Sequence, residues 1–133
     1  INVMDTFAFS SFPSYVYPAA RSIPQDYYKQ IVDNVDLPVS FLSTGFHVGE
    51  GMNEYQVTTV IEQRRFLERL FQESDNLDVI LVTWLLAKDS AIIPSRYSGL
   101  SRSGLFDLED APRPSWAVWG RASRRPLAVP IFD

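Results

Sequence analysis

Residues 77–84, Leu-Asp-Val-Ile-Leu-Val-Thr-Trp, decide the fold class of this chain. The run is short and nearly continuous in apolar residues, which is typical of a strand covered on both faces of a parallel sheet. It follows an amphipathic pattern from about Gln56 to Glu73, in which an apolar stripe lies opposite charged residues. A long helix that leads directly into such a strand is half of a βαβ unit.

The same order is predicted upstream. Residues 1–9 are rich in β-forming side chains and end at the turn signal of residues 10–13, and residues 37–43 form a second short apolar run. Between them, residues 22–36 predict a helix with Ser22 as its cap and with Tyr27, Ile31 and Val35 on its apolar face. Each strand is therefore followed by a helix.

The third strand is followed by a long Ser/Arg/Gly loop and by a short helix predicted over Pro114–Arg121. The whole order, β-α-β-α-β-(loop)-α, predicts one α/β unit over residues 1–133 with parallel strands alternating with helices. Three parallel strands leave two open sheet edges, whereas a closed barrel leaves none. We therefore expect part of a (β/α)8 TIM barrel, whose complete form needs about 250 residues.

Composition excludes several classes of partner. The 133 residues are 46% hydrophobic and 21% charged, and the net charge is −4 with twelve basic residues spread along the chain, so no nucleic acid partner is expected. No apolar run approaches the roughly 20 residues that span a bilayer, and we expect a soluble chain without a membrane partner. The absence of cysteine leaves the compartment undetermined. The start at Ile-Asn-Val-Met is interpreted as a cut or processed chain.

Familiar catalytic motifs are missing from the sequence. It has no Gly-rich phosphate loop, no Ser-His-Asp set and no metal-ligand spacing, so no cofactor and no metal are expected. His47 is the single histidine, and a solvated loop residue is favoured over a metal ligand.

Three stretches resemble the last three strand-loop units of (β/α)8 glycoside hydrolases, particularly the retaining arabinogalactan endo-β-1,4-galactanases and their relatives. Asp5–Pro13 (DTFAFSSFP) is similar to the sixth-strand motif, Leu37–Phe46 (LPVSFLSTGF) to the seventh, and Val82–Trp84 with Asp89 to the eighth. Residues 104–107 and 112–116 resemble the closing segment before the last helix. The resemblance covers nearly the whole chain.

The resemblance also exposes a departure at the centre of the site. Ser43 stands where the family has its nucleophilic Glu, and a serine hydroxyl without a base or a charge is a poor substitute. The fourth strand, which carries the family's acid/base Glu, is not in this chain. Ser43 fits an engineered deletion, a natural inactive relative, or a misalignment in which Glu50 or Glu54 serves.

The resemblance implies a set of substrate-binding residues: Ser11, Phe12, Tyr15, His47, Trp84 and Asp89. Trp84 is expected to offer its ring to a sugar, or else to pack in the core. We expect Ser43 and Trp84 on adjacent parallel strands, with the Trp84 ring beside the Ser43 hydroxyl and Phe12 on the other side. If Trp84 pointed into the helix layer, or if the strand of Ser43 were antiparallel to a neighbour, both the barrel assignment and the site assignment would have to be abandoned.

The function implied by the resemblance is a glycoside hydrolase-like, carbohydrate-active protein that acts on β-linked polysaccharide when its barrel is complete. The chain alone is expected to be inactive, and to associate with itself or with the missing N-terminal part of the barrel. Two alternatives remain: a non-catalytic carbohydrate-binding or scaffold protein, and an unrelated α/β domain that binds a small molecule at a switch point in its sheet.

Overall fold

A computed structural model describes residues 5–51, 56–93 and 98–126 of the chain. The strands are β1 (Phe7–Ser11), β2 (Val39–Thr44) and β3 (Val79–Trp84). The helices are α1 (Tyr27–Val32), α2 (Val60–Ser74), α3 (Ser98–Ser101) and α4 (Pro114–Ala122), with short 3-10 helices at Pro13–Tyr15 and Ala20–Ser22. Residues 1–4, which the sequence assigned to the first strand, lie outside the described residues.

The strands form a parallel sheet in which neighbours in space are neighbours in sequence. β1 pairs with β2 and β2 pairs with β3, both in parallel, in the order β1-β2-β3. The predicted α/β class with parallel strands is therefore confirmed. The register shifts within both pairings, once between β1 and β2 and twice between β2 and β3.

Three helices pack on the same face of this sheet. The Tyr28 ring of α1 lies 5.0 Å from that of Phe41 on β2. Trp84 on β3 has its ring 6.2 Å from Phe66 of α2 and 6.5 Å from Trp119 of α4. The buried residues of all these elements form one hydrophobic cluster, so the core lies between the sheet and a single helix layer.

Nothing in the described residues packs over the other face of the sheet in the same way. Leu81 alternates with Val82 and Trp84 and is exposed on this other face, and Leu42 and Ile80 are also exposed strand residues. The apolar sequence of β3 predicted cover on both faces, and the described chain supplies it on one. This bare face is called the open face below.

Helix α2 contributes Phe66, Leu67 and Leu70 to the buried core and begins later than predicted. Thr59 caps it by accepting a hydrogen bond from the backbone N–H of Glu62, so the helix starts at Val60. Two residues on its charged side bond to the loop after β1. Glu62 accepts from the backbone N–H of Ala20 at 2.7 Å, and Arg69 donates to the carbonyls of Ile23 at 2.6 Å and of Pro24. These contacts hold the loop after β1 against α2.

Helix α1 is shorter than predicted and buries a different side. Ser22 ends a 3-10 turn and is not the cap of α1, which begins at Tyr27 after Pro24. Tyr27 packs against the core as predicted, but the most buried residue is Tyr28, and Ile31 of the predicted face is exposed. The physical reason is the larger apolar area of the Tyr28 ring, which packs against Phe9 and Phe41.

The C-terminal helix begins at Pro114, as predicted, and ends at Ala122, and its two tryptophans differ in exposure. Trp119 packs in the core, whereas Trp116 is exposed and contacts Phe106 at 5.0 Å between ring centroids. The loop after β3 also contains α3, which the sequence did not predict. Within residues 5–51, 56–93 and 98–126, no helix has the length and apolar character needed to cross a bilayer.

Candidate functional site

Three hydroxyl side chains lie in a row at the C-terminal ends of the strands. Ser11 pairs with Thr44, and Thr44 pairs with Trp84, so these three residues point the same way. Trp84 packs against the helices, and successive side chains of a strand point to opposite faces. The residues that directly precede Ser11, Thr44 and Trp84 therefore point to the open face. Ser10, Ser43 and Thr83 form this row, and Ser10 and Ser43 are register partners. Ser43, the candidate catalytic position from the sequence, is thus part of an uncharged, hydrogen-bonding edge.

The expected position of Trp84 is wrong in one respect. Trp84 lies on the strand adjacent and parallel to that of Ser43, as predicted. Its ring, however, is only 7% exposed and packs in the helix layer against Phe66 and Trp119. Its indole N–H donates to the carbonyl of Ser103 at 2.7 Å. Trp84 is a core residue and offers no ring to a sugar, so by the stated criterion the barrel and site assignments made from the sequence fail. A barrel can be proposed only from other features of the sheet.

The loops that follow the three strands meet at one end of the sheet. Tyr15, after β1, stacks on His47, after β2, with ring centroids 5.8 Å apart. The backbone N–H of Val48 donates to the carbonyl of Arg102, after β3, at 3.0 Å. The loops after all three strands therefore contact one another at this end of the sheet, although the Trp84 side chain points elsewhere.

His47 is buried at the centre of this loop cluster, so the solvated interpretation is wrong. Its Nε2 lies 2.7 Å from the carbonyl of Gln56, which can only accept, so Nε2 carries the proton. Nδ1 then accepts from the Ser14 hydroxyl at 2.8 Å. Burial lowers the pKa of His47, the hydrogen bond to Gln56 opposes this, and nearby Arg102 adds to it. The neutral imidazole fastens the loop after β2 to the loop after β1.

The aromatic residues after β1 are also used in packing. Phe12 lies against Gly45 and contacts Tyr15 edge to face, with ring centroids 6.5 Å apart. Burial raises the pKa of the Tyr15 hydroxyl, and a hydrogen bond at the Leu100 backbone opposes this. The crevice between Phe12, Tyr15 and His47 leaves no space for a water molecule. A sugar would have to lie outside these rings.

Two more predicted binding residues belong to the internal framework. The Ser11 hydroxyl is 3.1 Å from that of Tyr28, on the helix side of the sheet. Asp89 is buried and forms a two-pronged ion pair with Arg113, at 2.9 and 2.6 Å, while also accepting from the backbone N–H of Gly104 at 2.8 Å. Both oxygens of Asp89 are engaged inside the protein, which argues against its assignment as a sugar ligand.

Glu50 is exposed on the loop after β2, beside the guanidinium of Arg102. Arg102 Nη2 donates to the Glu50 carbonyl at 2.7 Å, and Arg102 Nε is buried without a partner among the described atoms. The guanidinium lies close over Gly49, whose φ of +83° favours glycine. Glu54, the other suggested substitute, lies outside the described residues.

Sequence reasoning missed the residues that hold the loops together. Gln63 of α2 donates to the carbonyls of Phe46 at 3.0 Å and Gly104 at 3.1 Å, and it accepts from the Ser115 hydroxyl at 2.6 Å. Gln63 lies in a charged stretch of the helix and its partners are distant in sequence, so no local pattern indicated its bracing role. Ser14, which bonds His47 across the two loops, was hidden for the same reason.

The chemistry available at this end of the sheet is hydrogen bonding without charge. The strand ends carry hydroxyl groups, whereas retaining glycosidases use two carboxyl groups about 5–5.5 Å apart. In the part of the chain that the structure describes, no three His, Asp or Glu side chains gather as metal ligands.

The fold is similar to parts of solved glycosidases. No protein-family model and no curated protein matches the sequence. A Faecalibacterium prausnitzii β-glucuronidase superposes with a TM-score of 0.66 at 18% identity, over 95% of this chain and 23% of that one. A Bifidobacterium dentium β-glucuronidase complexed with coumarin-3-O-glucuronide gives 0.62 at 18%, over 93% and 22%.

An active-site mutant of the Rhizomucor miehei β-1,3-glucanosyltransferase, in complex with laminaritriose, gives a TM-score of 0.57 at 20% identity. That match covers 84% of this chain and 42% of the other. The chain thus spans about a quarter of the length of the glucuronidases and under half of the transferase. At these identities the likeness shows the fold: this chain has the parallel α/β architecture of a segment of these glycoside-processing proteins.

Proposed function

We propose that the chain is a three-strand part of a (β/α)8 barrel in a glycoside hydrolase-like, carbohydrate-active protein that acts on β-linked polysaccharide. The observation that carries the proposal is the strand order β1-β2-β3 with every packed helix on one face. A doubly wound sheet reverses its strand order at a switch point and places helices on both faces. In a barrel the strands follow one another in sequence order in one direction, and the helices form a single ring outside the strands.

This argument replaces the one from Trp84 and disfavours the small-molecule alternative. The described residues contain no reversal of strand order, so they provide no switch point for a ligand. The solved proteins that share the fold are named as β-glucuronidases and as a β-1,3-glucanosyltransferase, which supports a carbohydrate as the partner.

We further propose that the chain itself does not hydrolyse glycosides. Ser43 supplies a hydroxyl where a retaining enzyme needs a carboxylate, and its neighbours Ser10 and Thr83 add no charge. An uncharged row can donate to and accept from sugar hydroxyls without stabilising an oxocarbenium-like transition state. This favours, as a second candidate function, a non-catalytic carbohydrate-binding protein.

Two assays test these proposals. Incubation with coumarin-3-O-glucuronide should release no 3-hydroxycoumarin above a buffer blank, and laminaritriose should perturb NMR signals of the hydroxyl row. Ser43→Ala should weaken that binding, whereas Ser123→Ala, on the end of α4, should not.

Turnover that Glu50→Gln abolishes would show that the loop carboxylate is the nucleophile. Absence of binding to any β-linked saccharide, in the chain and in a completed barrel, would refute the carbohydrate proposal.

A further inference from the structure

The first turn of α4 presents an aromatic ring to the surface. Of the three tryptophans in the chain, Trp116 is 43% exposed, whereas Trp84 and Trp119 pack in the core. The Trp116 ring rests on that of the half-buried Phe106, with centroids 5.0 Å apart and planes tilted by 52°. Leu108, two residues after Phe106, is exposed as well. We call Phe106, Leu108 and Trp116 the rim platform.

The rim platform lies at the end of the sheet where the loops after the strands meet. Arg113, directly before α4, donates to the carbonyl of Arg102 in the loop after β3 at 3.1 Å. Ser115 donates to Gln63, which in turn donates to the carbonyl of Phe46 in the loop after β2. The first turn of α4 is therefore fixed to both loops, and the rim platform borders the loop cluster.

A tight turn fixes the other side of the rim platform and carries its polar groups. Asp107 Oδ1 accepts from two backbone N–H groups of this turn, at 3.0 and 2.9 Å. Asp110 has a φ of +65°, a left-handed conformation that Asp tolerates better than most residues. Lys88, which forms a β-bridge with Phe106, pairs with Asp110 at 2.6 Å. Hydrogen-bond donors and acceptors are therefore already in place beside the rings.

We propose that the rim platform binds a pyranose ring of an uncharged, β-linked saccharide, as a subsite outside the loop cluster. The inference rests on the carbohydrate function proposed above and adds the place where a distal sugar is held. The C–H face of the sugar would lie on the indole of Trp116, because the negative face of an aromatic ring attracts C–H groups. Lys88 and Asp110 would donate to and accept from the sugar hydroxyls.

The size of the rim platform favours a sugar over a protein partner. A specific protein interface buries about 800 Å² on each partner. The large apolar side chains exposed here are Trp116 and Leu108, and the turn between them is charged. Such an area matches a sugar ring and is too small for a protein surface.

The charge of the turn favours a neutral sugar over an acidic one. Residues 107–110 carry three carboxylates, and the ammonium group that pairs with them is that of Lys88. The carboxylate of a uronic acid would therefore meet like charge at the edge of the rim platform.

An NMR titration of the chain with laminaritriose tests the proposal through the three indole N–H signals. The signal of Trp116 should shift. Those of Trp84, whose N–H bonds the Ser103 carbonyl, and of Trp119 should stay in place, because both rings pack in the core.

Variants give the strength of the contact, read from the backbone amides of residues 107–111. Trp116→Ala should raise the Kd for laminaritriose at least about tenfold, because the sugar loses the apolar surface that it covers. Trp116→Phe keeps a flat ring and should raise it less. Ile61→Ala is the matched control, since Ile61 on α2 is also 43% exposed, and it should leave the Kd unchanged.

Three results would overturn the proposal. The first is a Trp116 signal that does not respond to laminaritriose. The second is a Trp116 signal that moves with protein concentration in the absence of sugar, which would assign the rim platform to a second copy of the chain. The third is equal affinity for a hyaluronan tetrasaccharide, which carries glucuronate and should bind at least about tenfold more weakly.

The titration also separates this proposal from the function proposed above. Ser43→Ala should leave the response of Trp116 unchanged. If the hydroxyl row responds to laminaritriose and Trp116 does not, the rim platform is refuted and the carbohydrate function stands. If Trp116 responds and the row does not, the rim platform stands and the row is not a sugar site.

Discussion

Replacing Arg113 by methionine should show that a buried ion pair contributes more to stability than an exposed ion pair with the same N···O distance. Arg113 donates to both oxygens of Asp89, and also to the carbonyls of Arg102 at 3.1 Å and Gly104 at 2.8 Å. The side chains of Arg113 and Asp89 are 9% and 5% exposed. Removing the guanidinium leaves the carboxylate in the interior with one backbone N–H, which should cost about 3–5 kcal/mol.

The neighbouring pair Lys88–Asp110 is the matched control. Its closest N···O distance is 2.6 Å, as in the buried pair, but its side chains are 42% and 76% exposed. Lys88→Met should therefore cost under about 1 kcal/mol, because water already solvates both groups. Urea unfolding of both variants, with and without 1 M salt, gives the two free energies. Only the Lys88 contribution should shrink in salt.

Total stabilities of about 5–15 kcal/mol mean that Arg113→Met could unfold the chain, and Arg113→Lys then provides a milder step. Lysine keeps the charge and loses the two-pronged geometry, so an intermediate cost is expected. Equal costs for Arg113→Met and Lys88→Met would refute the reasoning that burial, and not distance, sets the strength of these pairs.

Three further changes test other contacts by urea unfolding. Burial lowers the pKa of His47 from its usual 6.5, so the unfolded chain binds the proton more readily than the folded chain. The free energy of unfolding should therefore fall as the pH drops from about 6.5. His47→Gln should remove this fall. Gln63→Leu should cost about 2–3 kcal/mol by leaving buried partners unpaired, against under about 0.5 for the exposed Gln72→Leu; similar costs would contradict the bracing role. Tyr28→Phe should cost about 1 kcal/mol because the buried Ser11 hydroxyl loses its partner, and an unchanged midpoint would count against that bond.

The elements of this fold could be predicted because their signals are local. The apolar run of β3 and the amphipathic stripe of α2 are each contained in one window of sequence, and the βαβ order makes the strands parallel. The boundaries moved by a few residues where a cap decided them, as Thr59 did for α2.

The facing of single strand residues could not be predicted. A shift of register by one residue turns a strand side chain to the other face, and bulges introduce such shifts. Three occur here, and they decide that Ser43 points to the open face while Trp84 points to the helices. Asp89 was misassigned for a related reason, since its partner Arg113 lies far along the chain and no local pattern announces it.

The row of hydroxyl groups has a consequence for redesign. Neighbouring strands are about 4.8 Å apart, so carboxylates introduced at Ser10 and Ser43, which are register partners, would start at nearly the separation of a retaining pair, about 5–5.5 Å. Their mutual repulsion would raise the pKa of one of them, which is the asymmetry that an acid and a nucleophile require. Both positions point away from the core, so substitutions there can change the chemistry of the strand ends without changing the packing of the core.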